Sequence, residues 1–277
     1  MVHLVISNFN TDPSYLLDLS KQFVIYDQSN DSNIRALLEE LGQSKKINKK
    51  TKKERGGVLF TENLGHNLLN ILDFIIENYD LLPEKIAFLK GNIVPRHCTF
   101  QYLRESIDKG FYTYLWSQEK VSDEANIQYI LQPGHFIEIN NSWYVWDAPH
   151  KYFTSLDELL KFLFADYRHA QFMQFAPGAN YLVQANQIRN NPLALYQGLR
   201  NLIGYTWRPA EAFMLERCLP LIFNRTHQLN AHCYDLTSFS SALEALPDVS
   251  KVTRVKSKNN FHNKVRYKLI EILNTNK

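Results

Sequence analysis

ENLGHNLLNILDFIIENYDLLPEKIAFLKGNIVPRH, residues 62–97, is the stretch whose reading decides the fold. Across 64–79, Leu68, Leu72, Ile75, Ile76 and Tyr79 recur at helical spacing, with Asn67, Asn70 and Glu77 largely off that stripe. The spacing predicts an amphipathic helix with one buried face. Pro83 marks the loop that follows it. Ile86-Ala87-Phe88-Leu89 then reads as a short buried strand that ends at Lys90-Gly91-Asn92. A helix feeding a buried strand through a tight loop is the repeating unit of a parallel α/β sheet.

The same grammar extends toward the N-terminus. Residues 2–6 (VHLVI) form an apolar, β-branched run that opens into the polar turn 7–13. The start reads as a strand rather than a leader, because it has neither a basic beginning nor a long apolar run. Pro13 suits a first helical turn with Asp12 as its cap, and the helix is expected to reach about 19. Phe23-Val24-Ile25-Tyr26 is a second strand, ending in the polar loop 27–31. Three strand ends therefore stand next to polar loops, at 7–12, 27–31 and 90–97. Ligands of open α/β sheets bind beyond the carboxyl ends of the strands.

Toward the C-terminus the pattern is more mixed. Ile137–Ile139 and 143–146 (WYVW) flank Asn140-Asn141-Ser142, which suggests a hairpin. A helix is expected over 156–167 with Ser155 as its cap, then a turn at 175–180 and a strand over 181–185. Helices are expected over 192–202, over 209–223 with a break at Pro220, and over 264–273. No internal repeat or low-complexity linker is present.

The chain has 277 residues, 45% of them apolar and 21% charged. That composition excludes disorder, collagen-like repeats and a disulfide scaffold. No run of about 18 apolar residues occurs, so an ordinary membrane-spanning helix is not expected. Net charge is +3 and the sequence pI about 8.6, too mildly basic for a dedicated nucleic-acid binder. Residues 45–55 (KKINKKTKKER), from Lys45 to Arg55, hold six lysines and one arginine against one glutamate. They read as a solvated loop, with a phosphate-facing or anionic-membrane patch as the alternative. Cys98, Cys218 and Cys233 are widely spaced, consistent with reduced thiols and a cytoplasmic location. Aromatic residues make up 13% of the chain. Most must be core, as expected for Phe74, Phe88, Phe162 and Phe164.

No phosphate-binding P-loop, GxGxxG, HExxH or GxSxG pattern occurs. His97-Cys98 and His232-Cys233 each look like half a metal site, without the spacing that a full set of ligands needs.

Five blocks, in order, resemble a family of glycosyltransferase-like domains. A family phrase like "VVARYNED.SWL" corresponds to LVISNFNTDPSYL (4–16), and one like "VYNKG" to FVIYDQSN (23–30). The central "NVGRE..TYL.HI..NYD.L...TVFLQG.P..H" corresponds to residues 62–97. "GAQFAVSR.RI...P..FY..L" corresponds to GANYLVQANQIRNNPLALYQGL (178–199), and "GY..ERLWH.IF" to AFMLERCLPLIF (212–223). The resemblance spans 4–223 and implies a single Rossmann-related domain of the GT-A nucleotide-diphospho-sugar transferase type. Its central sheet would be mostly parallel and flanked by helices. The domain would occupy 1–223, with a basic C-terminal extension over 224–277 packing on it. The chain departs from the pattern where Thr11-Asp12 replaces the family's "ED" and FLKG replaces "FLQG".

The resemblance implies transfer of a sugar from a nucleotide-sugar to a glycan or glycolipid acceptor in surface polysaccharide synthesis. Inverting transfer needs a carboxylate as general base. Glu216 aligns with the family's "ER" and is the first candidate. Glu211 is the second, because Arg208-Pro209-Ala210-Glu211 resembles the base region of metal-independent β-1,6-N-acetylglucosaminyl- and xylosyl-transferases. Five residues on one helix separate their directions by about 140°, so the two should not face one pocket. Many nucleotide-sugar proteins place an Asp-x-Asp pair after a middle strand to hold a divalent cation. Here that edge reads Phe88-Leu89-Lys90-Gly91-Asn92, with no carboxylate. No metal cofactor is therefore expected, and the diphosphate charge falls to Lys90, Arg96, Arg208 and Arg217, helped by Arg254 and Lys256 in the tail.

Asn8, Asn10 and Asp27 stand where base and ribose would lie. Asn63 and Gly65 line the same side, Asn63 with an alternative reading as a helix cap, and Gly91 and Asn92 complete the donor edge. Trp143, Trp146 and Trp207 are candidate platforms for an acceptor sugar. Peripheral contact with the inner face of a membrane through 45–55 would suit a lipid-linked acceptor. The competing readings are an inactive nucleotide-sugar or glycan binder, and a basic nucleic-acid-processing protein.

Overall fold

The computed structural model describes residues 1–44, 56–109, 113–114, 129–132, 135–140 and 148–250. The chain is α/β. Strand β1 (Val2–Asn8) is buried at every position, as a central strand covered on both faces must be. It is followed by β2 (Phe23–Asp27), α1 (Ser32–Ser44), β3 (Gly56–Phe60), α2 (His66–Asn78) and β4 (Lys85–Lys90). After these come α3 (Ile93–Arg96), α4 (Phe100–Lys109), β5 (Thr113–Tyr114), β6 (Tyr129–Gln132), β7 (His135–Ile139), α5 (Leu156–Leu163) and β8 (Phe172–Phe175). The described chain continues through β9 (Tyr181–Gln184), α6 (Ala185–Arg189), α7 (Leu193–Ile203), α8 (Ala210–Asn224) and α9 (Leu236–Glu244).

The main sheet has the order β3-β2-β1-β4-β9-β5. Strands β1 to β4 are mutually parallel, and β9 runs antiparallel to both β4 and β5. A second, antiparallel sheet has the order β6-β7-β8.

Alternation along β1 divides the core in two. Val5 faces a large cluster with Leu68, Leu72 and Ile75 of α2, Phe88 of β4, and residues of α7 and α8. Leu4 and Ile6 face the opposite cluster with Ile25, Leu89, Leu38 of α1 and Leu103 of α4. Phe74, Phe88 and Phe164 are buried in the first cluster, with Phe162 packed against it. Leu229, Cys233, Phe239 and Leu243, which follow α8 in sequence, belong to that cluster too. Asn230 N donates to Leu163 O at 2.9 Å, so the chain beyond 224 is tied to α5.

Several elements differ from the sequence reading. The expected helix after Pro13 is a 3-10 turn over Ser14–Asp18, in which Asp12 accepts from Ser14 N at 2.9 Å. α1, β3 and α4 were not expected, although α1 carries Ile34, Leu37, Leu38 and Leu41 at helical spacing and α4 carries Leu103 and Ile107 four residues apart. β7 pairs with β6 and β8; residues 143–146, expected to form a hairpin with it, lie outside the described residues. α5 stops at Leu163, because Phe164 turns extended to bridge Leu229. α8 runs through Pro220 without breaking. The basic stretch 45–55 and the helix expected over 264–273 lie outside the described residues. Cys98, Cys218 and Cys233 are free and buried, and burial pushes the Cys98 and Cys233 thiols up to about 12. Among the described residues, no helix is long and apolar enough to cross a membrane.

Candidate functional site

The strand order reverses at β1. The chain moves outward through β2 and β3 on one side, then returns to place β4 on the other. A crevice at the carboxyl ends of β1 and β4 is where such a sheet binds ligands. Registry brings Asn8 beside Asp27 and Ser7 beside Lys90, so the three polar strand ends expected from the sequence do converge.

The β1 and β2 ends are locked to each other. Asn8 Nδ2 donates to Asp27 Oδ1 and to Thr11 O, both at 2.9 Å. Ser29 Oγ donates to the same Asp27 oxygen at 2.6 Å, and Thr11 Oγ1 donates to Asn8 Oδ1 at 2.6 Å. Asp27 is fully buried, and its Oδ2 has no hydrogen-bond partner. Asn10 N donates to Ser29 Oγ at 2.7 Å. Asn10 Oδ1 accepts from the backbone of Asn30 and Asp31 at 3.0 and 3.1 Å, which staples the two loops together. Gly91 passes so close that a Cβ there would stand 2.1 Å from Asn8 Oδ1. Asn92, half-buried, precedes the short α3 and makes no side-chain cap bond.

A second pair of loops is tied at the start of α2. The cap of α2 is Gly65, in the left-handed region at φ +60°. Asn63 lies exposed upstream of it, so it is not the cap. Gly65 N donates to Thr206 O at 2.8 Å and His66 N to Trp207 O at 3.1 Å. These bonds hold the 204–209 loop, carrying Trp207 and Arg208, against the helix start. Trp207 is exposed. The Arg208 guanidinium lies 5.3 Å from the centre of the Phe213 ring, and the His66 ring lies 5.5 Å from the same ring.

The two halves meet at Gly178, in the turn before β9. Its N–H donates to Glu216 Oε1 at 2.6 Å, and its carbonyl accepts from Asn67 Nδ2 at 2.8 Å. With φ at +79°, a Cβ there would lie 2.7 Å from Lys90 Cδ and 3.1 Å from His97 Nε2. Asn180 Oδ1 accepts from Lys90 N at 2.8 Å and so fixes the end of β4. Lys90, His97, Asn67 and Glu216 are thus gathered around one residue without a side chain.

The electrostatics follow from that packing. Burial lowers the Lys90 ammonium, Glu216 pulls it back up, and Arg96 lowers it again. His66 is held down to about 4, first by burial and then by the charge of Lys90, with Arg208 and Arg96 adding to it. His97 falls to about 3 by burial, then by Lys90 and Arg96. Three cations therefore act on one locus, with Glu216 as the carboxylate acting on Lys90.

Glu216 and Glu211 separate as their helical spacing predicts. Glu216 faces the Gly178 turn. Glu211 is fully buried, and its Oε1 accepts from the backbone N–H groups of Lys151, Tyr152 and Phe153 at 2.9, 2.7 and 3.3 Å. Its Oε2 accepts from Tyr205 Oη. Glu211 thus anchors the 150–153 turn. Arg217 also departs from the sequence reading. It is 2% exposed, donates to Phe213 O at 2.7 Å and to Glu216 Oε2 at 3.2 Å, and lies 4.5 Å from the Phe175 ring centre. It stands behind Glu216 and packs on Phe175, whereas Arg96 is exposed. Trp143, Trp146, Arg254 and Lys256 lie outside the described residues.

Residues not foreseen are His66, Asn67, Gly178, Asn180 and Ser29. Gly178 and Asn180 lay in the turn expected at 175–180 and Ser29 in the polar loop 27–31, while His97 had come forward only as half a metal site. Among the described residues, no group of three or more His, Cys, Asp or Glu side chains is arranged to hold a metal ion. No protein-family profile matches the chain, and no curated protein matches it significantly.

Proposed function

We propose that the protein transfers a sugar from a nucleotide-diphospho-sugar to a glycan or lipid-linked glycan, on a GT-A-type domain. One observation carries the reading. At the switch point of a parallel sheet, Lys90, Arg96 and Arg208 act on one locus, with the carboxylate of Glu216 beside Lys90. A diphosphate leaving group needs positive charge held in place before reaction. Side-chain cations supply it here without a resident divalent cation.

Glu216 serves as general base toward the acceptor hydroxyl. Its two oxygens already accept from Gly178 N and Arg217, and a carboxylate retains lone pairs for a further donor. Arg217 orients it from behind. Asn10 and the Asn8–Asp27–Ser29 lock shape the nucleoside side through fixed loops. Asn63, Gly65, Gly91 and Asn92 line the donor edge, and the exposed Trp207 offers a face for an acceptor ring. Contact with an anionic membrane through 45–55 would bring a lipid-linked acceptor to this edge. The location proposed is the cytoplasm, at the inner membrane face.

The test is donor turnover with a panel of UDP-, GDP- and CMP-sugars, with and without EDTA. Hydrolysis or transfer of at least one donor, undiminished by EDTA, is the expected result. Binding without turnover would favour an inactive nucleotide-sugar binder. No binding of any donor would end the reading.

A further inference from the structure

His66, the first residue of α2, takes no part in the transfer chemistry above, yet its ring is held in one orientation. Its backbone sits at φ +58°, in the left-handed region that a residue with a Cβ rarely adopts. Such a conformation persists only where its surroundings over-determine it. Here Gly65 precedes it at φ +60°, and His66 N donates to Trp207 O at 3.1 Å. Asn67 then fixes the ring. A carbonyl only accepts, so the bond from Asn67 to Gly178 O at 2.8 Å uses the amide nitrogen. That turns Asn67 Oδ1 toward His66 Nδ1, to which it is hydrogen-bonded. An amide oxygen also only accepts, so Nδ1 carries the hydrogen, and in the neutral ring the lone pair falls to Nε2. Burial, then the charge of Lys90, with Arg208 and Arg96 adding to it, favours that neutral form. Nε2 has no hydrogen-bond partner among the described residues, and it is not sealed from solvent.

We infer that His66 Nε2 accepts a hydrogen bond from a hydroxyl of the sugar on the nucleotide donor, and so selects among donor sugars. The inference rests on the reading of this edge as a diphosphate site. The cations around the ring attract oxyanions, but the diphosphate of a nucleotide-sugar is esterified at both ends and fully ionised near neutrality. It has no hydrogen to give, so a bare ring nitrogen cannot bond to it. The nucleoside side is marked by the Asn8–Asp27–Ser29 lock at the ends of β1 and β2. His66 stands on the other side: Asn67 ties its ring to Gly178, whose N–H donates to Glu216 Oε1 at 2.6 Å. The group that follows the diphosphate toward Glu216 is the donor sugar, and its hydroxyls are hydrogen-bond donors. A site that presents a fixed acceptor to a substrate O–H rejects an analogue that lacks it, because the acceptor is then left unpaired.

Calorimetric titration of the intact chain at pH 8 tests this, with UDP-glucose, UDP-N-acetylglucosamine and GDP-mannose, each beside its own nucleoside diphosphate. At that pH the terminal phosphates of UDP and GDP are ionised, so the paired probes differ by the sugar. H66N is the variant, because asparagine tolerates the left-handed backbone and its side chain is too short to replace Nε2. The expected result is a loss of about fivefold or more in affinity for the sugar nucleotide that binds, with affinity for the nucleoside diphosphate changed less than twofold. Equal losses for both probes, or no loss for either, overturn the inference and leave the transferase reading intact. Selective loss for the sugar nucleotide in a chain that transfers no sugar upholds it and removes the transferase reading. If no sugar nucleotide binds the wild-type chain, both fall. Nitrogen-15 NMR of the wild-type ring, assigned through its own backbone resonances, needs no variant. A protonated Nδ1 and a bare Nε2 are expected, with the Nε2 signal moved by the sugar nucleotide more than by its nucleoside diphosphate. A protonated Nε2 in the free chain overturns the inference.

Discussion

Two glutamates five residues apart on α8 divide the chemistry from the architecture. Glu211 satisfies three backbone N–H groups and a tyrosine hydroxyl in a buried place, and its contact with Tyr205 helps hold that phenol well above its usual range, after burial. E211A removes that acceptor, and buried donors left unpaired cost about 1–3 kcal/mol each. A loss of about 3 kcal/mol is expected, seen as a lower urea midpoint with the unfolding slope unchanged. Glu216 accepts from Gly178 N through Oε1. E216Q keeps an oxygen for Gly178 N, so its stability should stay within about 1 kcal/mol of wild type. Transfer should fall about 100-fold or more, as expected when a general base is lost, with donor affinity kept. Both glutamates were identifiable in the sequence, and helical spacing separated them. Which one faced the crevice was not legible, because Gly178 and Lys151 reach α8 only through tertiary packing.

The turn between β8 and β9 is the element on which the site depends. Gly178 takes φ +79° and leaves no room for a side chain between Asn180, Lys90 and His97. G178A would impose backbone strain of about 1–3 kcal/mol and push the Lys90 and His97 side chains out of register. Tenfold or greater weakening of nucleotide-sugar binding is expected, measured by calorimetry on protein shown to be folded by circular dichroism. Elements with strong burial were readable in advance. β1, β2, β4 and α2 all carry apolar patterns that only a two-sided core explains. α1 carries a helical stripe of its own at Ile34, Leu37, Leu38 and Leu41, whereas β3 begins with Gly56-Gly57, residues with little β-propensity. The pairing of β7 was half legible: β6 precedes it across only Pro133-Gly134, a turn dipeptide, whereas β8 lies beyond α5 in sequence and pairs with β7 only through the tertiary fold.

For the molecule as a whole, the burial of two histidines, reinforced by the clustered charge, makes stability depend on pH. His66 and His97 sit at about 4 and 3 in the folded chain, against an ordinary value of about 6.5. As pH falls below that value, the unfolded chain takes up protons that the folded chain refuses. Their contribution is therefore full above about 6.5 and is lost between there and the folded values, by up to about 1.4 kcal/mol per pH unit per histidine. The urea midpoint should drop steadily from pH 7 to 4.5, and H97Q should flatten that slope. A midpoint constant across this range would show that neither ring is held neutral.

The convergence of Lys90, Arg96 and Arg208 with Glu216 joins residues from β4, α3, the 204–209 loop and α8. Each came forward from the sequence on its own, yet their meeting depends on contacts such as Asn67 to Gly178, 111 residues apart. A crystal of the chain soaked with a nucleotide-sugar, grown and harvested in EDTA, tests that convergence most directly. The expected electron density has the diphosphate between Lys90, Arg96 and Arg208 at the carboxyl ends of β1 and β4, with the sugar facing Glu216. A diphosphate bound elsewhere, or this crevice empty at saturating donor, would contradict the assignment of the site.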